Sequence, residues 1–99
     1  MINSKQRAYL RSMANHIDTI VHVGKDGISE NLVKQLDEAL IARELVKCRT
    51  LENCALSTRE ACDALCSETG SEPVQVIGSR FTVYRENKKD KVIMLPSSK

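Results

Sequence analysis

Apolar residues recur along this chain with two periods, and each change of period marks an element. Ala8, Leu10, Met13, Ala14 and Ile17 form a broad stripe at helical spacing, which predicts a helix capped by Ser4 and running to about Asn15. From Thr19 to Val23 the pattern alternates, with Thr19, Val21 and Val23 on one face of a strand and Ile20 and His22 on the other. Helical spacing returns from Ser29 to about Arg43 through Leu32, Val33, Leu36, Ala39 and Leu40, with Glu30, Lys34, Asp37 and Glu38 opposite. Leu45 to Thr50 alternates again, setting Val46 and Cys48 against Lys47 and Arg49.

Leu51 to Leu56 reads as a loop. Ser57-Thr58-Arg59-Glu60 has the form of a capping box, with Leu56 and Ala61 placed as a hydrophobic staple. The helix it opens buries Ala61, Cys62, Leu65 and Cys66 and ends at Gly70. Pro73 leads into a strand from Val74 to Ile77, and Gly78-Ser79, glycine first, favours a type II′ hairpin into a last strand from Arg80 to Arg85. The order is α-β-α-β-α-β-β. Strands separated by helices imply right-handed parallel crossovers, and the hairpin adds an antiparallel pair. The expected fold is therefore α/β: a single compact domain with a four-stranded mixed sheet and three helices. Residues 1–86 form the domain and 87–99 a basic and apolar C-terminal tail, in which Val92-Ile93-Met94-Leu95 either lies extended against the body or stands out as an interaction segment.

Ninety-nine residues, 41% of them hydrophobic and 28% charged, suit one soluble globular domain. Aromatics are confined to Tyr9, Phe81 and Tyr84, which argues against a binder that stacks successive bases on aromatic platforms. No apolar run approaches the roughly 18–20 residues that span a bilayer, and no signal-peptide core is visible, so a cytoplasmic protein without a membrane partner is expected. The formal net charge is only +2, but it is unevenly distributed. Lys5, Arg7, Arg11 and Lys25 face Asp18 alone in residues 1–25, and Arg80, Arg85, Lys88, Lys89 and Lys91 outnumber Glu86 and Asp90 in residues 80–91. Glu60, Asp63, Glu68 and Glu72 have no base among them. Segregation of this kind gives one basic and one acidic surface, and the basic one suits a polyanion.

The candidate chemistry centres on Gly24-Lys25-Asp26-Gly27, between the first strand and the second helix. Two glycines allow a sharp turn and close approach of a partner, and Ser29 as N-cap leaves backbone amides just beyond it. Amides, a lysine and little bulk make a seat for phosphate, and G-x-x-G loops clamp nucleic-acid backbone; a plain strand-to-helix turn is the alternative. Cysteines 48, 54, 62 and 66 contain no C-x-x-C, and only Cys62 and Cys66 are close, at helical spacing. They read as reduced thiols, with no metal site. His16 and His22 lack a Cys or acid at ligand or catalytic spacing, and read as structural or exposed. Neither a P-loop nor a dinucleotide fingerprint is present, and no catalytic constellation can be nominated, so no cofactor, small-molecule substrate or enzymatic activity is expected.

The motifs taken together resemble a known family. Ser4-Lys5-Gln6-Arg7-Ala8-Tyr9-Leu10-Arg11, Val23-Gly24-Lys25-Asp26-Gly27-Ile28-Ser29, Leu36-Asp37-Glu38-Ala39-Leu40, Arg43-Glu44-Leu45-Val46-Lys47, Val74-Gln75-Val76-Ile77-Gly78 and Val83-Tyr84-Arg85 resemble, in order, the CRM domain of chloroplast RNA splicing and ribosome maturation. The chain is similar to the stand-alone bacterial YhbY type. It departs from the family pattern at Thr19, where proline is common, at Ala42, where histidine is usual, and in its cysteines. The resemblance implies an RNA-binding module that associates with precursors of the large ribosomal subunit and assists ribosome assembly. It further implies a fold similar to the C-terminal domain of translation initiation factor three. The RNA-binding residues are then Gly24, Lys25, Asp26 and Gly27 on the loop, with Lys5, Arg7, Arg11, Lys47, Arg80 and Arg85 supplying attraction. RNA in pre-ribosomal particles would be the partner of a monomer. The alternative is a protein-interaction module that uses the acidic third helix or the tail.

Overall fold

The computed structural model describes residues 2–96, in the order α1 (Ser4–Ala14), β1 (Thr19–Val23), α2 (Glu30–Arg43), β2 (Leu45–Thr50), α3 (Thr58–Thr69), β3 (Glu72–Ile77) and β4 (Arg80–Tyr84). The expected element order and α/β class are present. The capping signals act as the sequence suggests for two helices. Ser29 accepts from the Leu32 amide to start α2, and Ser57 and Glu60 form a reciprocal capping box on α3. The Ser57 amide also holds the Glu60 carboxyl below the usual carboxylate range. For α1 the cap is Asn3, not Ser4: the Asn3 side chain accepts from the Gln6 amide at 2.8 Å while the Gln6 side chain accepts from the Asn3 amide at 3.1 Å. Asparagine and serine are near-equal caps, so the side chain that closes the box decides between neighbours.

The sheet is four-stranded and mixed, in the order β1-β2-β4-β3. β1 and β2 are parallel, whereas β4 runs antiparallel to both β2 and β3. The crossover through α3 thus skips one position, and the hairpin returns β4 into the gap. That hairpin has positive φ at Gly78 and not at Ser79, as a type II′ loop requires. β3 begins two residues before the expected Val74, and a register shift between Pro73 and Gln75 absorbs the missing proline amide.

The two faces of the sheet carry separate cores. Val21, Val23, Val46, Cys48, Phe81 and Val83 meet Leu32, Leu36 and Leu40 of α2 and Ala61, Cys62 and Leu65 of α3. On the other face Leu45, Val74 and Tyr84 pack with Ile2 and Leu10 of the α1 side and with Ile93 of the tail. Within the apolar piece of the tail, Ile93 and, in part, Leu95 therefore lie against the body, whereas Val92 and Met94 stand exposed. The tail's anchor is Glu44, fully buried and in the left-handed region at φ 63, whose carboxylate accepts from the amides of Asn87 and Val92 at 2.7 Å and of Ile93 at 2.5 Å. Residues 97–99 of the expected tail lie outside the described residues.

Candidate nucleic-acid interface

Because β1 and β2 are parallel, their C-terminal ends meet at one end of the sheet, and the β3–β4 hairpin turns at that same end. Hydrogen bonds tie the neighbouring loops together there: the Leu51 amide donates to Val23 O at 2.9 Å, and the Thr50 amide to Ser79 O at 2.8 Å. In the Gly24-Lys25-Asp26-Gly27 turn the Gly27 amide donates to Gly24 O at 3.0 Å, leaving Lys25 and Asp26 exposed at the tip. Gly27 has φ 62, a conformation that strains any residue with a Cβ. A Cβ added at Gly24 would meet only Leu51 Cδ1 and Asn53 Oδ1, each at an ordinary 3.7 Å. The helix start beyond the turn is less free than the sequence suggests: Ser29 already serves the Leu32 amide, and Glu30 places an acid in the first turn. Attraction for a polyanion must therefore come mainly from side-chain cations.

Two such cations, Arg49 and Arg80, lie just below the turn beside His22. His22, Arg49 and Arg80 are register partners across β1, β2 and β4. Their neighbours Val21, Val23, Cys48 and Phe81 enter the α2–α3 core, so strand alternation places all three on the opposite face, and all three are exposed. Adjacent strands lie about 4.8 Å apart, so the row spans roughly 10 Å. Among the described residues no ion pair involves Arg49, Arg80 or Lys25, and the same holds for Lys5 and Arg11. Sequence reasoning placed Lys47 and Arg49 on one face but did not assign Arg49 or His22 to the site, because the register that aligns them with Arg80 is a long-range property.

The remaining expected site residues divide. Lys5 and Arg11 are exposed on α1, which covers the other half of this face. Arg7 Nε donates to Pro73 O at 3.3 Å along β3, and Lys47 Nζ donates to Ala14 O at 3.1 Å, where a cation complements the C-terminus of α1. Arg85 does not join the face. It follows β4 at the far end of the sheet, where it pairs with Asp37 at 2.6 Å and donates to the carbonyls of Thr69 at 2.8 Å and Asp37 at 3.2 Å. Its guanidinium bridges α2 and α3, so its positive charge is already matched inside the protein.

The thiols do not enter this site. Burial, with the Cys66 thiol nearby, pushes Cys48 from 9.0 up to about 12, and its hydrogen bond to Cys66 together with burial pushes Cys62 upward. All four cysteines are free thiols, and among the described residues no group of three His, Cys, Asp or Glu side chains could hold a metal ion. No helix is long and apolar enough to cross a membrane among the described residues.

A glycine turn set beside two exposed arginines, Arg49 and Arg80, that form no ion pair among the described residues, on a four-stranded mixed sheet, defines a small α/β module with a basic patch at one sheet end. The chain belongs to the CRS1 / YhbY (CRM) domain family, whose model matches residues 2–85. It is 43% identical over 96 residues to the probable RNA-binding protein YqeI of Bacillus subtilis, covering 97% of this chain and 100% of the relative. A protein of Haemophilus influenzae named simply RNA-binding protein is 26% identical over 91 residues, covering 92% of each. The solution structure of a hypothetical Staphylococcus aureus protein superposes with a TM-score of 0.80 at 48% identity, covering 97% of this chain and 100% of the other.

Proposed function

We propose that this protein binds RNA through the sheet end formed by the Gly24–Gly27 turn and the His22, Arg49 and Arg80 row, and that it serves assembly of the large ribosomal subunit in the cytoplasm. The observation that carries the binding mode is the Arg49–Arg80 pair: in-register, exposed, without ion-pair partners among the described residues, and adjacent to a turn whose backbone a phosphate chain can approach. The RNA-binding names of the relatives support the choice of polyanion. The ribosomal role rests on the family resemblance. The role is binding rather than catalysis, with Lys25 and the row holding phosphates and Lys5 and Arg11 adding longer-range attraction.

Gly24 offers the cleaner test within the turn, because a side chain there meets no strained φ and no close atom, whereas any replacement of Gly27 also strains the backbone. Gly24→Leu is expected to keep the melting temperature and to weaken binding of ribosomal RNA about tenfold by blocking backbone approach. Unchanged affinity would remove the turn from the site. Co-sedimentation of the protein with large-subunit precursors tests the assembly role, and its absence from those particles would contradict it.

A further inference from the structure

Two large aliphatic side chains stand exposed at the same sheet end as the Arg49–Arg80 pair. Ile77 is 63% exposed and is the register partner of Arg80, which extends the row to Ile77, Arg80, Arg49 and His22 across all four strands. Val76 packs toward the α2–α3 core, so Ile77 faces the same side as Arg80. Leu51, 36% exposed, lies beyond Arg49 and would touch a Cβ on Gly24. Neither residue belongs to the buried members of either core. A surface that gripped only the phosphates of a closed duplex would gain nothing from these groups, because paired bases are stacked away from it. Unpaired bases are different: they can be splayed outward and can bury apolar surface while their phosphates remain on the cations.

We infer that the sheet end takes an unpaired RNA segment, its phosphates on the turn and the Arg49–Arg80 row and its bases against Leu51 and Ile77. This inference rests on the RNA reading above and narrows it to single-stranded loops, bulges or ends. The charge row selects a polyanion over an apolar peptide, and the two aliphatic groups flanking it select exposed bases over a closed helix. Because aliphatic side chains contact any base face, the preference is for unpaired over paired RNA and carries little sequence preference.

The test compares three labelled probes at one salt concentration: a single-stranded RNA, the same strand with internal abasic sites, and the blunt duplex of the same sequence. Wild-type protein is expected to bind the base-bearing strand about fivefold more tightly than the abasic strand, below the effect of aromatic stacking. Leu51→Ser combined with Ile77→Ser removes that difference while leaving duplex affinity and the melting temperature unchanged. Equal wild-type binding of base-bearing and abasic strands overturns the inference and leaves Leu51 and Ile77 to a protein contact. So does a double variant that keeps the base preference. The RNA reading fails separately if Arg49→Ala with Arg80→Ala leaves binding of every probe unchanged.

Discussion

Arg80 and Arg85 bracket the same strand, yet the fold uses them in opposite ways. Arg80 opens β4 beside the glycine turn, exposed and unpaired among the described residues, whereas Arg85 follows β4 and is held by Asp37 and by two carbonyls. The same division runs through the two ends of the sheet. At the far end Glu44 gathers three tail amides, and its own carbonyl accepts from the Arg85 amide at 2.9 Å. At the near end Lys25, Arg49 and Arg80 form no ion pair among the described residues. A cation becomes available to RNA when the chain supplies no acceptor for it, which net charge along the sequence does not report.

Breaking the far end has the largest expected effect. Glu44→Ala leaves three amides without their acceptor, that of Ile93 buried and those of Asn87 and Val92 partly so, and unpins Ile93 from the second core, which costs about 3–5 kcal/mol. Thermal unfolding followed by circular dichroism is expected to show the midpoint falling by more than about 10 °C. RNA affinity measured well below that midpoint stays at the wild-type value. Arg85→Ala is milder, because its ion pair is partly exposed, and lowers stability by about 2 kcal/mol with RNA affinity again unchanged.

A smaller effect sharpens the comparison through pH. The Tyr84 hydroxyl is buried without a hydrogen-bond partner among the described residues, and burial pushes it from 10.0 up to about 12. Cys48 is raised from 9.0 to about 12 for the same reason. Both groups are uncharged when protonated, and both hold their proton more tightly when folded. Their contribution is therefore intact below their ordinary values and is lost as pH climbs through 9–10 toward 12. Melting temperature is expected to be flat near neutrality and to fall on that alkaline limb. Tyr84→Phe should flatten the upper part of the limb and leave the neutral midpoint unchanged or slightly higher, since it removes an unpaired buried hydroxyl.

Much of the scaffold was legible because local signals agreed with the fold. The Ser57–Glu60 box, the Ser29 cap, the Gly78-Ser79 loop and the switches between helical and alternating periods are each carried by a few adjacent residues. What escaped was long-range. The Ile77, Arg80, Arg49 and His22 row exists only once β4 is inserted between β2 and β3, and no local period announces that insertion. Arg85 looked like one more basic residue because its partners, Asp37 and Thr69, are distant in sequence. The tail was ambiguous for the same reason: its fate depends on Glu44, which the pattern showed only as the residue between a helix and a strand.

The central claim is that RNA is held at the near end of the sheet and not at the far end. The most direct measurement is the salt dependence of RNA affinity for Arg49→Ala with Arg80→Ala, set beside Arg85→Ala. The double variant is predicted to lose at least about tenfold in affinity and to reduce the logarithmic salt slope by about one to two, with an unchanged melting temperature, while Arg85→Ala keeps the wild-type slope. A wild-type slope in the double variant, or a reduced slope in Arg85→Ala, would contradict it.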